Sequence, residues 1–241
     1  MKLTVFGSSS EGNGYALEFD NGLILLLEAG TPYSKVYGAY PGRWSDIIGC
    51  FITHEHGDHT RHIKEYAMNG IRIFATQGTL DKVLPDHITA KPILSNAWFQ
   101  LENISIYAFA VKHNAADPVG YLIVDLISKE SLLFITDTVY FKPYFTGVTY
   151  MMVECNYITE IALANVRDDG NTGFDNHLSL ETCIKFLGAC DLKKTTQIIL
   201  VHLSDRNSNQ KRMVREVYEK TNVDTVAAEP GMVRNLRKDA F

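Results

Sequence analysis

The sequence predicts an α/β protein in which two β-sheets are flanked by helices on their outer sides. Short apolar runs rich in Val, Ile, Tyr and Phe recur along the 241 residues, and Gly, Asn, Asp and Pro bound them, which is typical of β-strands. These runs form two groups, and segments with a helical pattern follow each group. This order favours two sheets with helices outside over one parallel sheet wound on both faces.

The first strands are expected to form a hairpin. Its turn would be Asp20–Asn21–Gly22, because Asn-Gly readily adopts the positive φ angles that a tight turn needs. The strands that we predict are Leu3–Phe6, Tyr15–Phe19, Leu23–Leu27, Ile47–Ile52, Ile71–Ala75, Ile104–Ala110, Gly120–Leu126, Ser131–Ile135, Tyr150–Val153, Gln197–Val201 and Thr225–Ala227.

Helices are predicted between and after these strands. One covers Asp58–Met68 and ends at Asn69–Gly70, a second covers Leu180–Ala189 behind an N-cap at Ser179, and a third covers Gln210–Thr221. The polar segment Thr159–Asn176 is predicted to contain an exposed loop, which is either a lid beside the site or an incidental surface excursion.

Composition limits the classes to which the protein can belong. Hydrophobic residues make up 46% of the chain and charged residues 21%, which is ordinary for a globular protein. The net charge of −5 does not indicate the strongly basic surface that usually holds long nucleic acid by charge alone. Lys211, Arg212 and Arg215, at helical spacing, form either a local positive strip or an ordinary solvated helix face. The sequence has no signal-peptide pattern, no apolar run near the roughly 18 residues that cross a bilayer, and no Pro- or Ser-rich linker. We therefore expect one cytoplasmic domain over residues 1–241, with no membrane partner.

The segment FITHEHGDHT contains the strongest functional signal. An apolar strand is followed within six residues by His54, His56, Asp58 and His59. Residues i and i+2 of an extended segment face the same side, so the first two histidines can hold one ion. Gly57 lets the backbone turn, after which Asp58 and His59 can face a neighbouring position. Imidazole and carboxylate ligands suit Zn²⁺ and also Mn²⁺ or Fe²⁺.

Three later residues could complete the coordination of two ions. His113, Asp137 and His202 each follow an apolar strand, where site residues on such scaffolds usually lie. Each alone could be incidental, but their order and number favour a shared site. Asp137, between two threonines, is suited to bridge two ions. We predict two divalent metal ions, with zinc as the first expectation and manganese or iron as alternatives.

The pattern HxHxDH followed by His, Asp and His resembles the metallo-β-lactamase superfamily over essentially the whole chain. This resemblance implies a four-layer αββα sandwich of two mixed β-sheets flanked by helices. A carboxylate at the fifth motif distinguishes the chain from the true β-lactamases, which have a cysteine ligand there. The resemblance also implies that a first metal is held by His54, His56 and His113 and a second by Asp58, His59 and His202, with Asp137 bridging.

Four segments resemble one branch of the superfamily more closely. They are similar to motifs of YycJ/WalJ-like members, which are reported as DNA exonucleases. The segments are GSSSEGN, KHNAADPVGYLI, VECNYI and the pair NHLSLE and VHLSDRN. The layout is also similar to the tRNA 3′-processing endonucleases and a related cyclic phosphodiesterase branch. The sequence departs from these patterns at Glu28, Asn114 and Tyr157, where Asp, Asp and His are expected. Ser8, Ser10 and Asn13 of the first segment either line the site or form a tight turn.

His177 is a histidine beyond the seven predicted ligands and precedes a predicted helix. In phosphodiester-cleaving relatives the corresponding residue lies by the scissile phosphate and assists the leaving oxygen. Glu154 would orient its imidazole. The alternatives are a surface histidine at a helix start and a buried structural acid. We take His177, Glu154 and Asp58 as the candidate catalytic residues.

These observations lead to three hypotheses. The first is a metal-dependent hydrolase of the phosphodiesterase or nuclease type, in which a hydroxide shared by two ions attacks phosphorus in a nucleic acid or small nucleotide. The second keeps the metals but changes the bond to a carboxylic ester, thioester or lactone. The third is a metal-binding regulatory module with little turnover.

Overall fold

The computed structural model describes residues 1–139, 145–166 and 176–237, and it contains two mixed seven-stranded sheets. In spatial order, sheet one consists of β14 (Val233–Asn235), β1 (Lys2–Ser9), β2 (Gly12–Glu18), β3 (Ile24–Leu27), β4 (Ile47–Phe51), β5 (Ile73–Thr76) and β6 (Ala90–Ile93). Strands β3 to β6 run parallel, whereas β14, β1, β2 and β3 pair antiparallel. The predicted hairpin turn is present, with Gly22 at φ 87°.

Sheet two has the same size and a similar mixture of directions. In spatial order it consists of β13 (Asp224–Ala227), β12 (Gln197–Val201), β11 (Tyr150–Glu154), β10 (Ser131–Ile135), β9 (Val119–Asp125), β8 (Ile104–Ala110) and β7 (Ala97–Leu101). Strands β10 to β13 are parallel, so the carboxyl ends of β10, β11 and β12 meet at one edge of the sheet. Such edges are where α/β proteins usually bind ligands.

Alternating side chains on the strands create the four layers. In β3, Leu25 and Leu27 face the core between the sheets, while Ile24 and Leu26 face the helices outside. The same division holds in sheet two, where alternate residues of β10 and β12 face the central core or the outer helices. A sheet covered on both faces needs strands that are apolar throughout. The predicted αββα sandwich is confirmed.

Helices cover the outer face of each sheet. Sheet one is covered by α1 (Tyr33–Ala39), α3 (Ile63–Met68) and α4 (Gln77–Val83), and sheet two by α5 (Thr159–Ala164), α6 (Leu180–Ala189) and α7 (Gln210–Thr221). The short helix α2 (Gly57–Thr60) precedes α3. Helices α6 and α7 match the predicted bounds, and Ser179 caps α6 by accepting a hydrogen bond from Thr182 N. None of the helices in the described ranges is long and apolar enough to span a bilayer.

The helix predicted over Asp58–Met68 is divided into α2 and α3, which corrects the prediction. The cause is Ala29, which follows β3. Its N–H donates to His59 O at 2.7 Å, and its carbonyl accepts from His62 N at 2.9 Å. These two bonds take backbone groups that a continuous helix would use internally, so the helix breaks between them. The break holds His59 against the end of β3.

Several short elements were not predicted from the sequence. They are helices α1, α4 and α5 and the strands β6, β7 and β14, and each has seven residues or fewer. Periodicity is hard to recognise over so few residues, and exposed edge strands such as β7 carry a weaker apolar signal. The segment Thr159–Asn176, predicted to contain a loop, begins as α5, and its residues 167–175 lie outside the described residues.

Candidate metal centre

The residues predicted as metal ligands lie together where strands of both sheets end. Sheet one supplies His54, His56, Asp58 and His59 from the segment after β4, and sheet two supplies His113, Asp137 and His202 after β8, β10 and β12. Their ligand atoms form two groups, and within each group all atoms lie within 4.8 Å of one another. We call His54, His56 and His113 the trihistidine cluster, and Asp58, His59, Asp137 and His202 the mixed cluster.

The trihistidine cluster brings three ring nitrogens to one point. His56 Nδ1 lies 3.1 Å from His54 Nε2 and 3.0 Å from His113 Nε2. A single ring nitrogen cannot form a good hydrogen bond with both of these partners. The spacing instead suits a cation, since tetrahedral zinc with Zn–N bonds of 2.0–2.1 Å separates its ligands by about 3.3 Å. Burial lowers the pKa of His54 well below its usual range and that of His113 to about 4, so both rings are neutral and offer lone pairs.

The mixed cluster combines two carboxylates with two imidazoles. Asp58 Oδ2 lies 2.9 Å from His202 Nε2 and 3.2 Å from His59 Nε2. Burial would raise the pKa of Asp137, but the nearby His202 and His59 hold it well below its usual range. Burial likewise opposes protonation of His59, but the charges of Asp137 and Glu28 raise its pKa well above the usual value. Buried carboxylates that attract positive charge so strongly form a fitting donor set for a divalent cation.

Asp137 lies between the two clusters and faces both. Its Oδ1 atom is 3.3 Å from His59 Nε2 and 3.6 Å from His202 Nε2, whereas its Oδ2 atom is 3.9 Å from both His54 Nε2 and His113 Nε2. One oxygen therefore points to each cluster, which is the arrangement that a bridging carboxylate requires. The backbone at Asp137 has φ 45°, an uncommon conformation for a non-glycine residue that is often found at functional sites.

Groups behind the imidazoles hold their second nitrogens. Thr53 Oγ1 lies 2.9 Å from His54 Nδ1, and the Asn176 carbonyl lies 3.2 Å from His113 Nδ1. Glu28, at the position where the superfamily pattern has Asp, places Oε1 3.6 Å from His59 Nδ1. Both atoms are buried and form no hydrogen bond within the described residues, so Glu28 acts on the His59 ring through its charge. Partners of this kind orient metal-binding histidines and raise their basicity.

The hairpin between β1 and β2 reaches the mixed cluster. The Asn13 amide donates to Asp58 Oδ2 at 3.2 Å, and Ser8 Oγ accepts from His202 N at 3.0 Å. The Tyr15 hydroxyl donates to the same Ser8 oxygen at 2.8 Å. Of the two sequence-based interpretations of this segment, the one that places Ser8 and Asn13 beside the site agrees with these contacts, whereas Ser10 is exposed in the turn between the strands.

Gly30 allows this close approach, and it was not singled out from the sequence. A Cβ atom at Gly30 would lie 1.7 Å from the backbone oxygen of Asp58 and 2.8 Å from Asn13 N. A side chain here would push the β1–β2 hairpin away from the segment that carries Asp58. The only signal in the sequence was a glycine three residues after an apolar strand, which many turns also have.

His177 and Glu154 form a hydrogen-bonded pair beside both clusters. Glu154 is the last residue of β11, is fully buried, and has Oε1 2.6 Å from His177 Nδ1. Its other oxygen accepts from Leu178 N at 3.0 Å and Thr138 N at 3.2 Å. Burial opposes protonation of His177, but the bond to Glu154 and nearby negative charges raise its pKa to about 9. The His177 side chain remains 22% exposed and packs against the ring of His202 at a centroid distance of 5.3 Å.

Comparison with known proteins identifies the family. The model of the beta-lactamase superfamily domain matches residues 36–203, a range that includes all seven predicted ligands and the His177–Glu154 pair. The chain belongs to the beta-lactamase superfamily. None of the curated protein sequences matches it. The prediction of this superfamily from the HxHxDH pattern is confirmed.

Solved structures of the superfamily share the complete fold. The metallo-beta-lactamase fold protein YhfI from Bacillus subtilis is similar at a TM-score of 0.76 and 16% identity, covering 97% of this chain and 99% of that one. Zinc-bound PqqB from Methylobacterium extorquens gives 0.74 and 16%, covering 98% and 100%. Human tRNase Z, short form, gives 0.71 and 15%, covering 99% and 100%. At these identities the likeness concerns the fold.

Proposed function

We propose that the chain is a two-metal phosphodiesterase of the nuclease type, acting on nucleic acid or a small nucleotide. The superfamily fold and the clustered His and Asp side chains support a divalent metal centre. The chain is similar in fold to human tRNase Z, whose name describes a nuclease, and this supports a phosphodiester as the bond that is cleaved. The observation that carries the proposal is the His177–Glu154 pair, because it adds a proton donor that the metal ligands do not provide.

The residues of the two clusters would hold the metals. The trihistidine cluster would hold one ion and the mixed cluster the other, with Asp137 contributing an oxygen to each. When bound, two such ions supply Lewis acidity and acidify water toward a pKa of about 7. Zinc is our first expectation, since three imidazoles at this spacing suit it, and manganese or iron would also accept these donors.

His177 would protonate the leaving oxygen. Its Nδ1 atom is engaged by Glu154, so Nε2 is the atom free to carry a proton to substrate. The carboxylate of Glu154 favours the protonated ring and fixes its orientation through three accepted hydrogen bonds. A departing alkoxide needs such a proton, whereas a thiolate scarcely does. The pair is therefore more useful to a phosphodiesterase than to a thioesterase.

Surface charge favours a small or single-stranded substrate over a tightly held duplex. The net charge is −5, and two of the cations of α7, both arginines, lie beside carboxylates. Arg212 contacts Glu160 and Glu216, and Arg215 lies 3.8 Å from Glu219. Carboxylates therefore neutralise part of the cationic face of α7, which makes this face a weaker site for binding phosphates along a duplex.

Metal content tests the ligand assignment directly. Protein purified without chelator should contain close to two transition-metal equivalents per chain by elemental analysis, and His54→Ala or Asp137→Ala should each lower this value. His87→Ala is the matched control, because this histidine contacts Thr89 and lies in neither cluster. Full occupancy in both ligand variants would show that the assignment is wrong.

A substrate panel tests the bond that is cleaved. The metal-loaded protein should hydrolyse bis-p-nitrophenyl phosphate and at least one of a cyclic nucleotide, end-labelled DNA and end-labelled RNA. A thioester and a lactone in the same panel represent the competing hypothesis, and they should be hydrolysed much more slowly. Turnover of the thioester or lactone without turnover of any phosphodiester would replace this proposal with that hypothesis.

A further inference from the structure

We propose that Glu55 is a positioning residue that fixes the spacing of the trihistidine cluster. Its carboxylate joins the turn carrying His54 and His56 to the loop carrying His113. The inference rests on the metal centre of the proposed function, but it does not depend on which bond the enzyme cleaves. It assigns a role to the residue between the two histidines of the HxH pattern.

The contact is a shared hydrogen bond to one backbone amide. Both Glu55 oxygens accept from Ala116 N, at 2.9 Å and 3.1 Å. Glu55 lies between His54 and His56, so alternation along the extended segment turns its side chain away from the ring nitrogens. The half-buried carboxylate instead meets the loop between β8 and β9, three residues after His113. Hydrogen bonds to an ionised acceptor are stronger than neutral ones.

The loop from Val111 to Pro118 is fixed at both ends, and Glu55 adds a contact near its middle. At the base of the loop, Val111 N donates to Pro118 O at 3.1 Å, and just beyond it Val119 N donates to Thr53 O at 3.1 Å. These bonds secure the strand ends, while Ala116 lies several residues along the loop. Other groups also hold this loop, since Val139 N donates to Lys112 O at 3.1 Å and Thr76 Oγ1 donates to Asp117 O at 2.9 Å. Glu55 differs from them because its side chain comes from the turn that carries His54 and His56, so its contact joins that turn directly to the loop of His113.

Three converging imidazoles need such support before a cation arrives. Their nitrogens lie 3.0–3.1 Å apart, so their lone pairs repel one another and the loops would separate if they were free. Holding them in place in advance lowers the ordering cost of metal binding. Changes to residues that orient ligands typically lower metal affinity about 10–100-fold, and we expect an effect of this size from Glu55.

The test measures metal affinity and backbone protection in the metal-free protein. Glu55→Ala should weaken one of the two metal equivalents by about 10–100-fold in competition with a chromophoric chelator. It should also accelerate hydrogen exchange at the Ala116 amide. Glu55→Gln keeps one acceptor oxygen and should restore most of both properties. Asp117→Asn removes an exposed carboxylate from the same loop, keeps a side chain that tolerates the φ of 62° at this position, and should change neither.

A double-mutant cycle assigns the effect to the trihistidine cluster. His113→Ala should remove one equivalent, and adding Glu55→Ala should then leave the affinity of the remaining equivalent unchanged. Unchanged affinity in Glu55→Ala, or equal weakening of both equivalents, would overturn the inference while leaving the metal centre intact. A wild-type protein that binds no divalent metal would overturn the metal centre and this inference together.

Discussion

Replacing His177 with alanine should slow the hydrolysis of a phosphodiester with a poor alkoxide leaving group by about 10²-fold or more, the usual effect of losing a general acid. A phosphodiester that releases p-nitrophenolate should be affected much less, because that leaving group departs readily without a proton. Both metals should remain, since His177 bonds to Glu154 and lies outside the seven proposed ligands. Steady-state rates on the two substrates, with metal content measured in parallel, check this prediction.

A second histidine in the chain provides a matched control. His62 is 23% exposed and its Nδ1 atom lies 2.7 Å from the Glu65 carboxylate, so it resembles the His177–Glu154 pair but lies outside both clusters. His62→Ala should leave both rates unchanged. Glu154→Gln should show a weaker form of the leaving-group selectivity. Equal losses on both leaving groups in His177→Ala would indicate a role in substrate positioning, and no loss on either would remove the main support for a phosphodiesterase.

Replacing Gly30 with alanine should destabilise the protein by more than about 3 kcal/mol, or prevent folding, because the added Cβ overpacks a rigid contact. The atom that it would meet is the Asp58 backbone oxygen, 1.7 Å from the ideal Cβ position. A backbone atom cannot rotate away as a side chain can. Denaturant unfolding of the metal-free protein measures the change without a contribution from bound ions.

Gly188→Ala is the corresponding control for the alanine substitution itself. Gly188 lies in α6, is exposed, and would have no heavy atom within 4 Å of an added Cβ. Its replacement should be neutral or stabilising by up to about 1 kcal/mol, because alanine favours the helix. If Gly30→Ala unfolded at the same denaturant concentration as Gly188→Ala, the close contact between Gly30 and the Asp58 backbone would not matter for stability.

The general fold could be predicted because its strands are unusually apolar. In β3, Leu25 and Leu27 face the central core while Ile24 and Leu26 face the outer helices, so the strand is apolar throughout. A continuous apolar run of this length, bounded by turn residues, is recognisable in the sequence. The break between α2 and α3 could not be predicted, because it depends on two backbone bonds to Ala29, which is remote in sequence. Local pattern describes a helix well only where tertiary contacts do not compete with it.

The candidate site shows the same division. The HxHxDH spacing is local, so it indicated four candidate ligands directly. The left-handed backbone at Asp137 and His202, with φ 45° and 57°, depends on surrounding structure and has no sequence signal of its own. The bond from Glu55 to Ala116 spans 61 residues and joins a side chain to a backbone amide, which no residue pattern records. Contacts between residues so far apart in sequence can be found only from the three-dimensional structure.

The residues of the mixed cluster come from both sheets, so the stability of the folded protein should depend on the metal available in the cell. Asp58 and His59 come from sheet one, while Asp137 and His202 come from sheet two, so a bound ion would cross-link the two halves of the sandwich. A ligand that binds only the folded state stabilises it by about 4.1 kcal/mol at one thousand times its dissociation constant. Metal starvation would therefore increase the unfolded fraction available to proteases. The abundance of this protein, as well as its activity, should then follow the concentration of free metal.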